Sequence, residues 1–224
     1  MGAHDMGGFE EGTQRIHVGG FQPFSLSDFP GRAAAIVFTQ GCNWRCPFCH
    51  NRSLWKRTPA EPPVKAAEAV LAFLEERRGY LGGLVVTGGE PTLQEEPTLQ
   101  EGPTLQEGLG DFLGAVKNLG LAVKLDTNGS RPAVVEALLA ENLVDYIAMD
   151  VKAPVEKYDA LCGCPVDMDE IRRSIDTIAA SGLPHHFRTT FYPDLLSEDD
   201  MEGIRKLIPI RSEFKLQAYR DPHL

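Results

Sequence analysis

Hydrophobic and polar positions fall in blocks whose period switches back and forth between that of a strand and that of a helix. Residues 33–39 (AAAIVFT) are a continuous apolar run, as expected of a strand buried on both faces. Over 64–77 the residues Val64, Ala67, Val70, Leu71 and Leu74 recur at helical spacing. The same patterns predict strands at 84–87, 121–125, 146–149, 186–191 and 214–219, and helices at 108–119, 132–140, 167–181 and 197–208. Pro132 suits a first helical turn, Ser197 an N-cap and Gly182 a helix stop. Strands and helices in strict alternation imply a parallel sheet with right-handed crossovers. A complete eight-unit barrel usually takes ~250 residues. Six units in 224 residues therefore predict an α/β fold built as an incomplete (β/α)6 parallel barrel.

Composition agrees with one folded core: 42% of residues are hydrophobic and 24% charged, which excludes wholesale disorder. Residues 1–19 are Gly-rich and polar and are read as a flexible N-terminal segment, with 20–224 as the domain. Twenty-two basic against 32 acidic residues give a net charge of −10, the wrong sign for a nucleic-acid or anionic-membrane partner. No apolar run approaches the ~18 residues of a membrane span. Without a hydrophobic signal core near the N-terminus, a cytoplasmic location is expected.

One segment breaks the alternation. Residues 90–107 read EPTLQE, EPTLQE, GPTLQE, a hexapeptide three times over. A tandem duplication adding about twelve residues to a loop is the simplest account, and the proline spacing predicts an extended, exposed, mobile loop.

Three of the five cysteines, Cys42, Cys46 and Cys49, lie within eight residues. An odd count without a leader argues against a disulfide framework, and three converging thiols point to a metal or iron–sulfur site. A zinc knuckle would need His50 beside Cys49 as fourth ligand, a strained arrangement. His50 is instead expected to pack or hydrogen-bond beside the loop. Cys162 and Cys164 are too few for a second cluster and are read as reduced loop cysteines.

The other suggestive residues also sit at strand C-terminal ends, where parallel α/β folds carry their active sites. Gly88-Gly89-Glu90 offers close backbone approach and a carboxylate for an ammonium group. Asp126-Thr127-Asn128-Gly129 is either a site element or an ordinary turn. Asp150 and Lys152, two apart, point the same way and would pair or share a ligand. Arg188 places a guanidinium at the barrel mouth, in the site or in a structural ion pair.

The ordered segments VFTQGCNWRCPFCHN (37–51), VTGGEPTLQ (86–94), KLDTNGSRP (124–132), DYIAMDVKAP (145–154) and FRTTFYPDLLSEDD (187–200) together resemble the glycyl-radical-enzyme activases of the radical S-adenosylmethionine superfamily. The similarity runs from Gly20 to Tyr219. The chain looks like the activators of anaerobic ribonucleoside-triphosphate reductase and is more distantly similar to pyruvate formate-lyase activating enzymes. The resemblance implies a [4Fe-4S] cluster on Cys42, Cys46 and Cys49 that cleaves S-adenosylmethionine to methionine and a 5′-deoxyadenosyl radical. That radical would take a Cα hydrogen from a glycine of a partner glycyl radical enzyme, with a flavodoxin or ferredoxin as electron donor. Gly88, Gly89 and Glu90 would hold the methionine part, and Asp126, Asn128, Lys152 and Arg188 its surroundings. Asp150 would serve a monovalent cation or position the cofactor, and Trp44 or Phe48 would lie near the adenine. Within the same superfamily the alternatives are an activase of another glycyl radical enzyme, of the pyruvate formate-lyase type, or an enzyme of small molecules; a zinc-stabilised interaction domain or an inactive relative is the non-enzymatic one. The paired His185-His186, where relatives tend to be acidic, carries no implied role.

Overall fold

The computed structural model describes residues 16–57, 67–94, 97–98, 104–105 and 108–220. Six parallel strands carry the fold: β2 (Ala34–Thr39), β3 (Gly83–Gly88), β6 (Ala122–Thr127), β7 (Tyr146–Asp150), β8 (His185–Phe191) and β9 (Glu213–Ala218). An antiparallel strand, β1 (Val18–Ser25), lies against β2, and the seven-stranded order is β1-β2-β3-β6-β7-β8-β9. A separate two-stranded ribbon pairs β4 (Pro97–Thr98) with β5 (Thr104–Leu105). Because spatial order follows chain order, every crossover steps the same way. Right-handed crossovers then put all helices on one face of the sheet. The sheet curls without closing, the incomplete barrel that the alternation predicts.

Alternate side chains divide the strands between two environments. Val37, Leu84, Val86, Val123, Leu125, Ile147 and Phe187 face outward into the main core. There they meet α1 (Ala67–Glu76), α2 (Leu109–Asn118), α3 (Pro132–Ala140), α5 (Met168–Ala180) and α6 (Asp200–Leu207). In α2 the predicted face, Leu109, Phe112, Leu113 and Val116, is fully buried. At roughly 1.5–3 kcal/mol per side chain that burial outweighs the lack of a side-chain cap at Gly108. The inward positions form a smaller apolar cluster of Phe29, Ala34, Ile36, Val85, Ala122 and Tyr146. Phe29, on the turn after β1, plugs the base of the half-barrel, with its ring 6.1 Å from Tyr146. Gly83 makes room for it, since a Cβ there would stand 2.9 Å from the Phe29 ring.

Several expectations need correction. Residues 16–19 belong to the folded body: Ile16 is buried, His17 donates its N–H to Gln94 Oε1 (2.9 Å), and Val18 opens β1. The strand is hidden in the sequence by Gly19, Gly20 and Pro23, residues that ordinarily break strands but are tolerated at an edge. Gly19 has a physical reason, because a Cβ there would meet Leu54 and Gln40 at 2.5 and 2.7 Å. The last helix begins at Asp200 rather than Ser197, and Ser197 donates to the Asp200 carboxylate instead of capping. Lys157 binds the same carboxylate at 2.7 Å, which anchors it to the preceding segment. A short helix, α4 (Tyr158–Cys162), occupies a stretch read as loop and ends on Gly163 in the left-handed conformation.

The repeat proves unequal in its three copies. Pro91–Gln94 of the first copy form a 3-10 turn in which Pro91, Thr92 and Gln94 are buried. Gln94 bridges two distant segments, accepting from His17 N–H and donating to Gln40 O at 2.6 Å. The later copies supply the paired strands β4 and β5, and the remainder of 95–107 lies outside the described residues, as do 64–66 of the first predicted helix and most of 1–19. Deleting Glu96 to Glu107 should leave the urea midpoint close to that of the parent. Gln94→Ala should lower stability by about 1–3 kcal/mol by stranding buried backbone groups, and urea denaturation of both variants checks this contrast.

Candidate active site

The C-terminal ends of the parallel strands surround a cavity of about 180 Å³. Cys42, Cys46 and Cys49 line one wall; Gly88, Gly89 and Glu90 a second; Asp126, Asn128, Asp150, Lys152 and Arg188 the rest. Trp44 and Phe48 border it too, and so does Trp55, which no motif in the sequence marks. Sequence positions more than a hundred residues apart thus meet because each lies on or just after a parallel strand.

The cysteine loop leaves β2 at Gly41, whose φ of +94° suits glycine. Backbone bonds pin it: Gly41 N–H to Leu54 O (2.8 Å), Cys42 N–H to Trp55 O (3.2 Å) and Glu90 N–H to Gly41 O (2.8 Å). The space opened by Gly88 and Gly89 is filled by protein, since Cβ atoms there would strike the backbones of Thr39 and Gly41. These glycines let the turn after β3 lie against the root of the cysteine loop. His50 lies at the cavity edge, its Nε2 2.7 Å from Arg220 O, and its ring packs on Tyr219. Aromatic contacts from Phe48 to Tyr192 (5.5 Å) and on to Tyr219 (5.0 Å) carry the loop across to the ends of β8 and β9.

Glu90 is fully buried and ties three segments together. Its Oε1 accepts from Thr92 N–H (3.1 Å), Thr92 Oγ1 (2.7 Å) and Thr127 Oγ1 (2.7 Å), while Oε2 accepts from Asn128 N–H (2.7 Å). Burial raises its pKa, opposed by these four donors. Asn128 continues outward, donating to Asn43 Oδ1 at 3.0 Å and so joining the end of β6 to the cysteine loop. The turn account of Asn128 is therefore real, with its Oδ1 accepting from Ser130 N–H, and the same turn braces the site.

A chain of charges crosses the floor. Lys124 binds Asp126; Arg188 binds Asp126 at 3.0 Å and Asp150 at 2.6 Å; Lys152 binds Asp150 at 2.9 Å. Three cations face two carboxylates, an excess of one positive charge. Burial alone would raise Asp150, yet Arg188 and Lys152 hold its carboxyl well below the usual range. Burial likewise opposes the charge on Lys152, which Asp150 and Cys46 nonetheless hold above the ordinary lysine value. Lys124, nearly inaccessible, was unmarked in the sequence reading although a lysine two before Asp126 in an apolar strand signals an inward pair. Below the network, Tyr146 Oη lies 2.9 Å from His186 Nδ1. His185 is held by Ser212 Oγ at 2.9 Å.

The thiols differ in setting. Burial pushes Cys42 up to about 12, although Trp44 N–H points at its sulfur from 3.4 Å. Cys46 comes down to about 7, chiefly because the Cys162 thiol donates to it; burial opposes this and Lys152 assists. Burial, then the adjacent Cys46, drives Cys162 well above the thiol range. Cys162 was read as a loop cysteine; it ends α4 and is fully buried.

Three thiols, a glycine turn and an internal ion network thus line one polar cavity at the strand ends of a parallel half-barrel. Residues 36–208 match the Radical SAM superfamily model, and the chain belongs to that superfamily of enzymes. It is 32% identical over 206 residues, 90% of this chain and 79% of the other, to a Methanocaldococcus jannaschii protein provisionally named a glycyl-radical enzyme activating enzyme. With a pyruvate formate-lyase-activating enzyme of Clostridium pasteurianum it shares 29% over 202 residues, 88% of this chain and 75% of that one. The structure of Streptococcus suis SuiB bound to its precursor peptide SuiA superposes with a TM-score of 0.61 at 16% identity, over 83% of this chain and 38% of that one. That last likeness concerns the fold alone. Among the described residues no helix is long and apolar enough to cross a membrane.

Two consequences can be measured. Glu90→Gln turns one acceptor into a donor facing N–H and O–H groups, and should cost about 1–3 kcal/mol in urea unfolding. His186 is lowered from 6.5 to about 4, by burial first and then by Lys215, Lys124 and Arg188. Between those values the unfolded chain binds a proton that the folded chain refuses, so stability falls as pH drops through the window. The thermal midpoint of the parent should therefore decline more steeply from pH 6.5 to 4 than that of His186→Gln; parallel curves would contradict it.

Proposed function

We propose that this chain is a glycyl-radical-enzyme activase whose partner is an anaerobic ribonucleoside-triphosphate reductase. The observation that supports this reading is the single cavity shared by Cys42, Cys46, Cys49, the Gly88-Gly89-Glu90 turn and the charge network. Cys42, Cys46 and Cys49 would hold a [4Fe-4S] cluster, and three protein ligands leave one iron open to S-adenosylmethionine. When bound, the cluster supplies the electron for reductive cleavage of that cofactor, the source of the hydrogen-abstracting radical.

The protein's own contribution is position and electrostatics. The turn at Gly88 and Gly89 would receive the ammonium end of the methionine moiety. Glu90, whose oxygens already serve four donors, acts by holding that turn and Asn128 in place. The excess cation of the Lys124–Asp126–Arg188–Asp150–Lys152 chain suits the cofactor carboxylate. A monovalent cation at Asp150 would compete with Lys152 and Arg188 for its two oxygens. Trp44, Phe48 and Trp55 offer apolar surface for the adenine. A partner's glycine loop would enter at the strand ends, where the sheet is unclosed, and a flavodoxin or ferredoxin would deliver the electron. The location expected is the cytoplasm.

Anaerobic reconstitution with iron and sulfide, reduction, and addition of S-adenosylmethionine should yield 5′-deoxyadenosine. Cys46→Ala should lose the cluster and that product by at least about a hundredfold, the loss of a step worth ~2.7 kcal/mol or more. A glycyl electron paramagnetic resonance doublet should appear on the reductase and not on a pyruvate formate-lyase. A doublet on the lyase alone would change the partner, and an intact cluster in Cys46→Ala would overturn the site.

A further inference from the structure

Behind the cysteine loop, away from the cavity, stands a thiol that the activase reading does not use. Cys162 closes α4 and has no solvent exposure, yet its thiol neighbours that of Cys46. The contact is built from both sides. Arg45 N–H donates to Cys162 O at 2.7 Å, so the residue before Cys46 is bonded to the backbone of Cys162 itself. Gly163 has φ +69°, and a Cβ on it would lie 2.5 Å from Arg45 O, so the two backbones are packed to touching. Trp44 lies edge-on to Tyr158 of α4 at 5.9 Å, and the Cys164 thiol reaches Asn43 O at 3.7 Å. Of the pair, Cys46 borders the cavity while Cys162 is sealed in the core. A small oxidant entering the cavity meets Cys46 first.

We propose that, whenever the loop carries no iron, Cys46 and Cys162 form a redox pair in which Cys162 resolves oxidised Cys46 as an intramolecular disulfide. With hydrogen peroxide as oxidant, the Cys46 sulfur takes one oxygen to give a sulfenic acid as the O–O bond breaks and the first water leaves. The Cys162 sulfur then attacks the Cys46 sulfur; the S–S bond forms, the S–O bond breaks, and the Cys162 proton departs with the hydroxide as the second water. Two thiols lose two electrons and peroxide gains them. The product withholds Cys46 from further oxidation to sulfinic acid, which thiols do not reverse, and a dithiol reductant restores both cysteines. The modification thereby stores the apoprotein in a form from which the cluster site is recoverable.

The full-length chain, stripped of metal and reduced, is treated with hydrogen peroxide, alkylated and digested with trypsin. Cleavage after Arg45 separates Cys42 from Cys46, and fragment ions distinguish Cys46 from Cys49 and Cys162 from Cys164. The expected result is a Cys46–Cys162 linkage as the main crosslink, lighter by two hydrogens and erased by dithiothreitol. In Cys162→Ser that crosslink is absent, and Cys46 sulfinic acid rises at least severalfold at equal peroxide. Linkage of Cys46 chiefly to Cys42 or Cys49, or equal sulfinic acid with and without Cys162, would overturn the proposal. The parent's peptide map stands even if the variant folds poorly, and it needs neither cluster nor activity, so its failure is distinct from failure of the activase reading.

Discussion

A buried carboxylate stands at the centre of this structure. Glu90 leaves the end of β3 with no water to solvate it, and an unpaired charge there would be prohibitive. Four donors from Thr92, Thr127 and Asn128 satisfy it, while its own N–H is spent on Gly41 O. The strand ends β2, β3 and β6 are therefore fixed relative to one another by the requirement that this one group be paired. The cysteine loop starts from Gly41 and is tied to Asn128 through Asn43, so its placement depends on the same group. The two glycines before Glu90 permit the approach of backbone to backbone that brings those donors within reach.

The inner face of the half-barrel changes character along its length. Phe29, Ile36, Val85 and Tyr146 make the base dry, whereas Lys124, Asp126, Asp150, Lys152 and Arg188 make the upper level ionic. Charges taken from water cost several kcal/mol each unless paired. Here each carboxylate is held by two cations, which fixes their geometry and leaves one positive charge over. An open sheet with its helices all on the outer face leaves that charged level facing the cavity. Such a polar level agrees with membership of the Radical SAM superfamily.

Two features give the site its individual form. The first PTLQE copy is a working part of the fold, with Gln94 bridging His17 and Gln40, and the later copies contribute the β4–β5 ribbon. Duplicating a segment after its buried portion leaves the anchoring copy untouched. The second feature is α4, which presses Tyr158 and Cys162 against the back of the cysteine loop and gives Cys46 an environment that Cys42 and Cys49 lack.

Much of this was legible in one dimension. Apolar runs such as AAAIVFT and LVVT mark strands buried on both faces, and alternation with helices dictates a parallel sheet whose chemistry lies at one end. The spacing of Cys42, Cys46 and Cys49 and the turn at Gly88-Gly89-Glu90 were visible for the same reason: local chemistry is written in adjacent residues. Partnerships between distant residues were not. The strand β1 reads as loop because Gly19, Gly20 and Pro23 obey an edge's tolerance and not a strand's propensity. Glu90 reads as a ligand for an ammonium group until its four donors are placed around it. Asp150 reads as a neighbour of Lys152 alone until Arg188, 38 residues beyond Asp150, is seen to bind both it and Asp126. Cys162 reads as a loop thiol until α4 buries it beside Cys46. Hydrophobic period and motif spacing are properties of neighbouring positions, so the sequence by itself determined the elements and the class of chemistry. Which side chain satisfies which buried charge is set by packing across the sheet, and only the tertiary structure decided that.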